Sequence, residues 1–119
     1  MAKKILFVED EKLIREMYSQ RIADEGFKVF TASTTDKAEK ILKKEKIDLV
    51  LLDLLLPRES GFDYLKRINK KNDKPLIVVL TNLEGEEYRK TTKEMGAKDY
   101  LLKTDYTPSE LMKLIKKFL

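Results

Sequence analysis

Two carboxylates, Glu9 and Asp10, follow the apolar run Ile5-Leu6-Phe7-Val8, and a third, Asp53, closes Leu49-Val50-Leu51-Leu52. Buried parallel strands deliver the residues at their C-terminal ends to one edge of a sheet, where crevices between loops serve as ligand sites. Three acids gathered there repel one another strongly unless a cation sits among them, because a low-dielectric crevice magnifies like-charge repulsion. An all-oxygen, anionic donor set suits a hard divalent cation such as magnesium (Mg2+). Two further groups reach the same edge if the later apolar runs are also strands. Thr81 ends Leu76-Ile77-Val78-Val79-Leu80, and Lys103 follows Asp99-Tyr100-Leu101-Leu102. Singly, each group has a bland explanation, since strand-end Asp and Thr satisfy turn backbone and most lysines are solvated. Five of them on one edge are hard to explain as turn chemistry.

The pattern that would position them alternates strand-like and helix-like segments throughout. Strands are expected at 4–9, 27–32, 48–53, 76–81 and 98–102, and helices near 11–25, 35–45, 61–71, 84–95 and 108–119. The third and fourth strands are unbroken apolar runs, as strands covered on both faces must be. The last helix places Leu111, Leu114, Ile115 and Phe118 at i, i+3, i+4 and i+7, and opens with Thr107, Pro108 and Glu110 at N-cap, N1 and N3. Gly26 and Gly96 stand where the first and fourth helices must stop. Strict βα alternation predicts an α/β fold: a three-layer, flavodoxin-like (βα)5 domain whose parallel five-stranded sheet runs 2-1-3-4-5 with helices on both faces. In that order strands 1 and 3 are neighbours at the switch point, which brings Glu9, Asp10 and Asp53 together.

The 119 residues form one domain, 1–119, by length. With no cysteine, disulfides, zinc thiolates and cysteine nucleophiles are excluded, and a reducing, cytoplasmic setting is the natural one. With no histidine, the commonest general base is missing too. The apolar run after Lys3-Lys4 is stopped by Glu9-Asp10 well short of a signal peptide, and no run approaches a membrane span. The net charge of +4 lies entirely in residues 61–119, mostly along helical faces such as Lys66, Arg67, Lys70 and Lys71. Aromatics are not interleaved with these lysines, so direct nucleic-acid binding is not expected. High charge with little Gly or Pro also suits a heat-adapted protein.

The set Glu9-Asp10, Asp53-Leu54-Leu55-Leu56-Pro57 followed by Gly61, Thr81, Gly96-Ala97-Lys98-Asp99-Tyr100 and Lys103 resembles a response-regulator receiver domain of the single-domain, CheY-like type. The resemblance covers the whole chain. It implies a phosphorelay role, in which Asp53 takes a phosphoryl group from a phosphohistidine on a sensor histidine kinase or phosphotransfer protein. It also implies Mg2+ held by Asp10, Asp53 and the backbone carbonyl of Leu55, with Glu9 acting through water. Lys103 and Thr81 would hold phosphoryl oxygens. The phosphoryl group would draw Thr81 inward, and Tyr100 would rotate from solvent into the space behind strand 4. The surface of helix 4, strand 5 and helix 5 would then change for a downstream partner, with Tyr106 and Met112 on the docking face. Such a domain is no enzyme beyond its own phosphorylation and dephosphorylation, and contacts neither nucleic acid nor membrane.

The sequence departs from the family pattern in three places. Thr104 stands where proline usually follows the lysine in a cis peptide. A cis bond without proline costs about 3–4 kcal/mol, so a trans bond with a rearranged loop is expected. The segment Thr104-Asp105-Tyr106-Thr107 is one residue longer than the common pattern, and Asn82 replaces a small residue beside the phosphoryl pocket. The runner-up reading is a receiver-like interaction module that signals without phosphorylation, against which the complete acid set, Thr81 and Lys103 argue. An aspartate-nucleophile phosphatase would need a second acid where Leu55 stands, and a cap domain for which there is no room. A nucleotide-binding protein would need a P-loop or GxGxxG after the first strand, and neither is present.

Overall fold

An apolar run without a polar face can be buried only between two layers, and the strands of this chain are so placed. The computed structural model describes residues 2–119. Its elements are β1 (Lys4–Val8), α1 (Lys12–Asp24), β2 (Lys28–Ala32), α2 (Thr35–Lys44), β3 (Leu49–Leu52), α3 (Gly61–Asn69), β4 (Leu76–Thr81), α4 (Glu86–Glu94), β5 (Asp99–Leu102) and α5 (Pro108–Phe118). All pairings are parallel, and the order is β2-β1-β3-β4-β5, the 2-1-3-4-5 order expected.

Strand alternation divides the core in two. Ile5, Phe7, Leu49, Leu51, Val78 and Leu80 face one way and pack against Tyr18 and Ile22 of α1 and Leu111, Met112 and Ile115 of α5. Leu6, Val8, Val50, Leu52, Ile77 and Val79 face the other way and pack against Ala38 of α2 and Tyr64, Leu65 and Ile68 of α3. Helix ends follow the local chemistry. α5 opens on the Thr107–Glu110 capping box with Pro108 in its first turn. Gly26 and Gly96 take φ of +96° and +103° after α1 and α4, a conformation that costs glycine little. No helix among the described residues is long and apolar enough to cross a membrane.

Tyr64 is fully buried, and its hydroxyl donates to Glu39 Oε2 at 2.9 Å. Lys71 pairs with the other Glu39 oxygen. Burial pushes the Glu39 carboxyl up, but hydrogen bonds from Lys71 and Tyr64, with the Lys71 and Arg67 charges, outweigh it and hold its pKa below the usual carboxylate range. A depressed folded-state pKa contributes stability above the unfolded value, about 4.3, and loses it as pH falls through the folded value. Glu39→Gln is therefore expected to destabilise the fold by roughly 1–2 kcal/mol at about pH 7. The gap from wild type should shrink in urea melts as pH falls from about 7 to below the usual carboxylate range. A gap of constant size across that range would show that the charge contributes nothing.

Candidate functional site

Parallel pairing carries the chemistry to one edge. Val8 lies beside Leu52 in the register, the Asp53 N–H donates to the Val8 carbonyl at 3.2 Å, and the Glu9 N–H donates to the Ala32 carbonyl at 3.0 Å. The hydrogen-bonded ladder thus runs one step past the strands and sets the acids of β1 and β3 side by side. Thr81 sits opposite Leu102 at the end of the β4–β5 pairing, and Lys103 is the next residue.

Carboxylate oxygens of Glu9, Asp10 and Asp53 lie within 4.8 Å of one another. Glu9 is 1% exposed and Asp53 4%, while Asp10 opens to solvent. Both Asp53 oxygens are engaged. Oδ1 accepts from the Thr81 hydroxyl at 2.8 Å and the Leu55 N–H at 3.1 Å, and Oδ2 accepts from Lys103 Nζ at 2.9 Å. Lys103 also pairs with Glu9 Oε1, and the other Glu9 oxygen accepts from the Glu11 N–H at 3.3 Å. Burial alone would push the Lys103 ammonium down, yet its bonds to Glu9 and Asp53 and their charges raise it above its ordinary value. The Glu9 carboxyl is held above its ordinary value: burial, with the Asp53 charge, outweighs the lowering by Lys103 and the Glu11 N–H. Three carboxylates face a single lysine in the crevice, and the all-oxygen donor set is one a hard divalent cation can use.

The structure therefore brings Glu9, Asp10, Asp53, Leu55, Thr81 and Lys103 together, as expected. Two expectations need correction. Tyr100 does not lie in solvent: it is 3% exposed, packed with the α2–α3 side of the core, and its hydroxyl donates to the Leu83 carbonyl. Met112 is no docking-face residue: it is buried in the core between α1, α5 and the sheet, against which Tyr106 also packs. Every peptide bond among the described residues is trans, Lys103–Thr104 included, and Lys103–Asp105 form a 3₁₀ turn that accommodates the longer segment. Asn82 is exposed.

Arg15 has a part that the sequence reading missed. Its Nη1 donates to the Glu9 carbonyl at 3.0 Å and the Asp10 carbonyl at 3.1 Å, pinning the acidic turn to the first turns of α1. The available signal was an arginine in the first turn of the helix that follows the acid pair. Gly61 is a second positioning element. Its N–H donates to the Leu54 carbonyl at 3.0 Å, and a Cβ on it would fall 2.2 Å from the Asp53 carbonyl oxygen and 2.5 Å from Leu54 Cα. α3 thus begins pressed against the backbone that carries Asp53.

Known proteins resemble this chain in sequence and fold. The profile of the response regulator receiver domain family matches residues 5–116. The chain is 36% identical over 117 residues to the probable transcriptional regulator ycf27 of Porphyridium aerugineum, covering 98% of this chain and 48% of that protein. It is 38% identical over 117 residues to the protein of that name from Porphyra purpurea, covering 98% and 47%. The chain spans about half the length of the curated relatives it matches. Among solved structures, the BeF3-activated N-terminal receiver domain of Klebsiella pneumoniae RstA superposes with a TM-score of 0.90 at 32% identity, covering 98% of this chain and 97% of that one. The chemotaxis response regulator CheY4 of Vibrio cholerae superposes with a TM-score of 0.91 at 28% identity over 100% of both chains. Matched over nearly its whole length in sequence and fold, the chain belongs to the response regulator receiver domain family, the signal-accepting modules of phosphorelays.

Proposed function

We propose that Asp53 is the phosphoacceptor of this receiver domain, taking a phosphoryl group from a sensor histidine kinase or phosphotransfer protein. The observation that supports this most is the Asp53 carboxylate itself, buried, with Thr81 on one oxygen and Lys103 on the other. An Asp53 oxygen forms the new bond to phosphorus while the P–N bond of the donor phosphohistidine breaks, its electron pair leaving with the imidazole. An ionised carboxylate is already the attacking form, so no general base is needed and the absence of histidine is harmless. Phosphoryl transfer asks the protein mainly for positioning and charge neutralisation. Lys103 supplies a point charge and Thr81 a hydroxyl donor, both held beside the attacking group before the donor arrives.

Glu9, Asp10, Asp53 and the Leu55 backbone carbonyl are the groups that would hold Mg2+. Bound there, the ion supplies neutralisation of the phosphoryl oxygens and of the acids facing them. The domain would act catalytically only on itself, and a downstream protein would read the α4–β5–α5 surface. The test is to incubate the protein with acetyl phosphate and record intact mass. One phosphoryl group should be gained with magnesium, and essentially none with a chelator or in Asp10→Ala. No gain under any condition would overturn the reading.

Hydrolysis of the acyl phosphate needs a water in line with phosphorus, opposite the Asp53 oxygen. By resemblance to the family, the side chains two positions after Asp53 and two after Thr81 flank this approach; here they are Leu55 and Leu83, and neither can orient a water. Leu55 is 54% exposed, whereas Leu83 is half-buried against the core. A long-lived phosphorylated state is expected, and Leu55→Asn should shorten it by roughly 10-fold or more. Leu83→Glu should act the same way at some cost in stability. Loss of phosphate from purified phosphoprotein measures this; a wild type that decays within seconds would refute it.

A further inference from the structure

A continuous set of polar contacts links the reacting carboxylate to α4. Leu83 is the joint: its N–H donates to Thr81 Oγ1 at 3.3 Å, and its carbonyl accepts the Tyr100 hydroxyl. Thr81 in turn donates to Asp53. Arg89, half-buried on α4, closes the set from outside. Its Nη1 donates to the Tyr100 carbonyl at 2.7 Å, and its guanidinium carbon lies 5.1 Å from the centre of the Tyr100 ring. The other charged group facing it is Glu86, whose carboxylate stands 3.9 Å away with a largely exposed side chain. β5 is an edge strand, so no further strand covers Tyr100 and its burial depends on α4. A buried phenol needs a hydrogen-bond partner, and a guanidinium gains most when it stacks on an aromatic face while donating in plane.

We propose that Arg89 is a positioning residue for the phosphoacceptor. By holding Tyr100 inward it fixes the Leu83 backbone, and through Leu83 it presents the Thr81 hydroxyl to Asp53 before any phosphoryl group arrives. The proposal rests on Asp53 being the phosphoacceptor. If Arg89 merely covered the strand edge, its loss would lower stability and leave the rate of transfer alone.

The test compares wild type, Arg89→Met, Arg89→Lys and Tyr100→Phe, each with magnesium and acetyl phosphate. Transfer is followed by intact mass across donor concentration. Exposure of the Tyr100 ring is read by NMR of ring-labelled protein with a soluble paramagnetic agent, Tyr100→Phe assigning the signal. Arg89→Met should lower the maximal rate by roughly 2- to 30-fold with little change in the donor concentration at half-maximal rate, and should expose the ring. Arg89→Lys keeps the charge and a donor but stacks poorly, and should fall between. Tyr100→Phe should be slowed as well, since it loses the bond to Leu83. The proposal is overturned if Arg89→Met transfers at the wild-type rate, slows with the ring still shielded, or exposes the ring at unchanged rate. If Arg89→Met does not fold, Arg89→Lys carries the same comparison. Absence of transfer in wild type would instead overturn the Asp53 reading on which the proposal stands.

Discussion

Asp53→Asn is expected to gain no phosphoryl group from acetyl phosphate and magnesium, under conditions in which the wild-type chain gains one. The amide has the shape of the carboxylate but no anionic oxygen to attack phosphorus. It could still accept the Thr81 hydroxyl on its oxygen, while its NH2 group would face the Lys103 ammonium, donor against donor. Lys103 retains Glu9 as a partner, so the ammonium is not left unpaired. Removing one of three clustered acids also relieves repulsion, and the variant should melt at or above the wild-type temperature. The substitution leaves Glu9 and Asp10 as carboxylates, which makes it selective among the three. A variant that still takes up one phosphoryl group in unchanged yield would place the acceptor elsewhere and promote the phosphorylation-independent reading.

Gly61→Ala should be severely destabilising. The added Cβ meets the Asp53 carbonyl oxygen at 2.2 Å and Leu54 Cα at 2.5 Å, and backbone cannot swing aside as a side chain can. Overpacking in cores commonly costs about 1–3 kcal/mol, and a clash with backbone rather than side chain places this case at about 3 kcal/mol or more. For a domain of this size that lowers Tm by roughly 10–15 °C. The clash is resolved only by moving α3 or the Asp53–Leu54 backbone, so the surviving folded fraction should also accept phosphate more slowly. Gly26→Ala is the control. Its Cβ would meet nothing within 4 Å, and only the positive φ opposes it, at about 1 kcal/mol. Equal stability of the two variants in urea melts would mean that the loop after β3 is slack.

The convergence of acids was legible because a buried parallel strand leaves an unbroken apolar run, and the end of that run fixes where the next side chain sits. Asp53 and Thr81 needed no more than that. Lys103 lies 94 residues from Glu9, and their pairing could be read only once the sheet order put β1 beside β3 and β4 beside β5. That Glu9 has Lys103 as a direct partner was not part of the sequence reading, which placed it only toward the metal. The inward place of Tyr100 depends on a backbone carbonyl at Leu83 and a guanidinium on α4, neither of which any periodicity in β5 reports. Met112 was misread for a different reason. The stripe Leu111, Leu114, Ile115 and Phe118 describes one seam, but α5 meets both the sheet and α1, which widens its buried face to include the residue after Leu111.

The division of the core by the sheet bears on how such a sequence can change over generations. Tyr18, Ile22, Leu111 and Ile115 on one side share no packing with Tyr64, Leu65 and Ile68 on the other, so substitutions in the two layers add rather than compensate. Descendant sequences are free to repack the α1–α5 layer without consulting the α2–α3 layer, and each can drift at its own pace. The strands answer to both layers at once, every second residue to each. Their tolerance is the intersection of two sets of demands, and the residues that hold the site sit where those strands end.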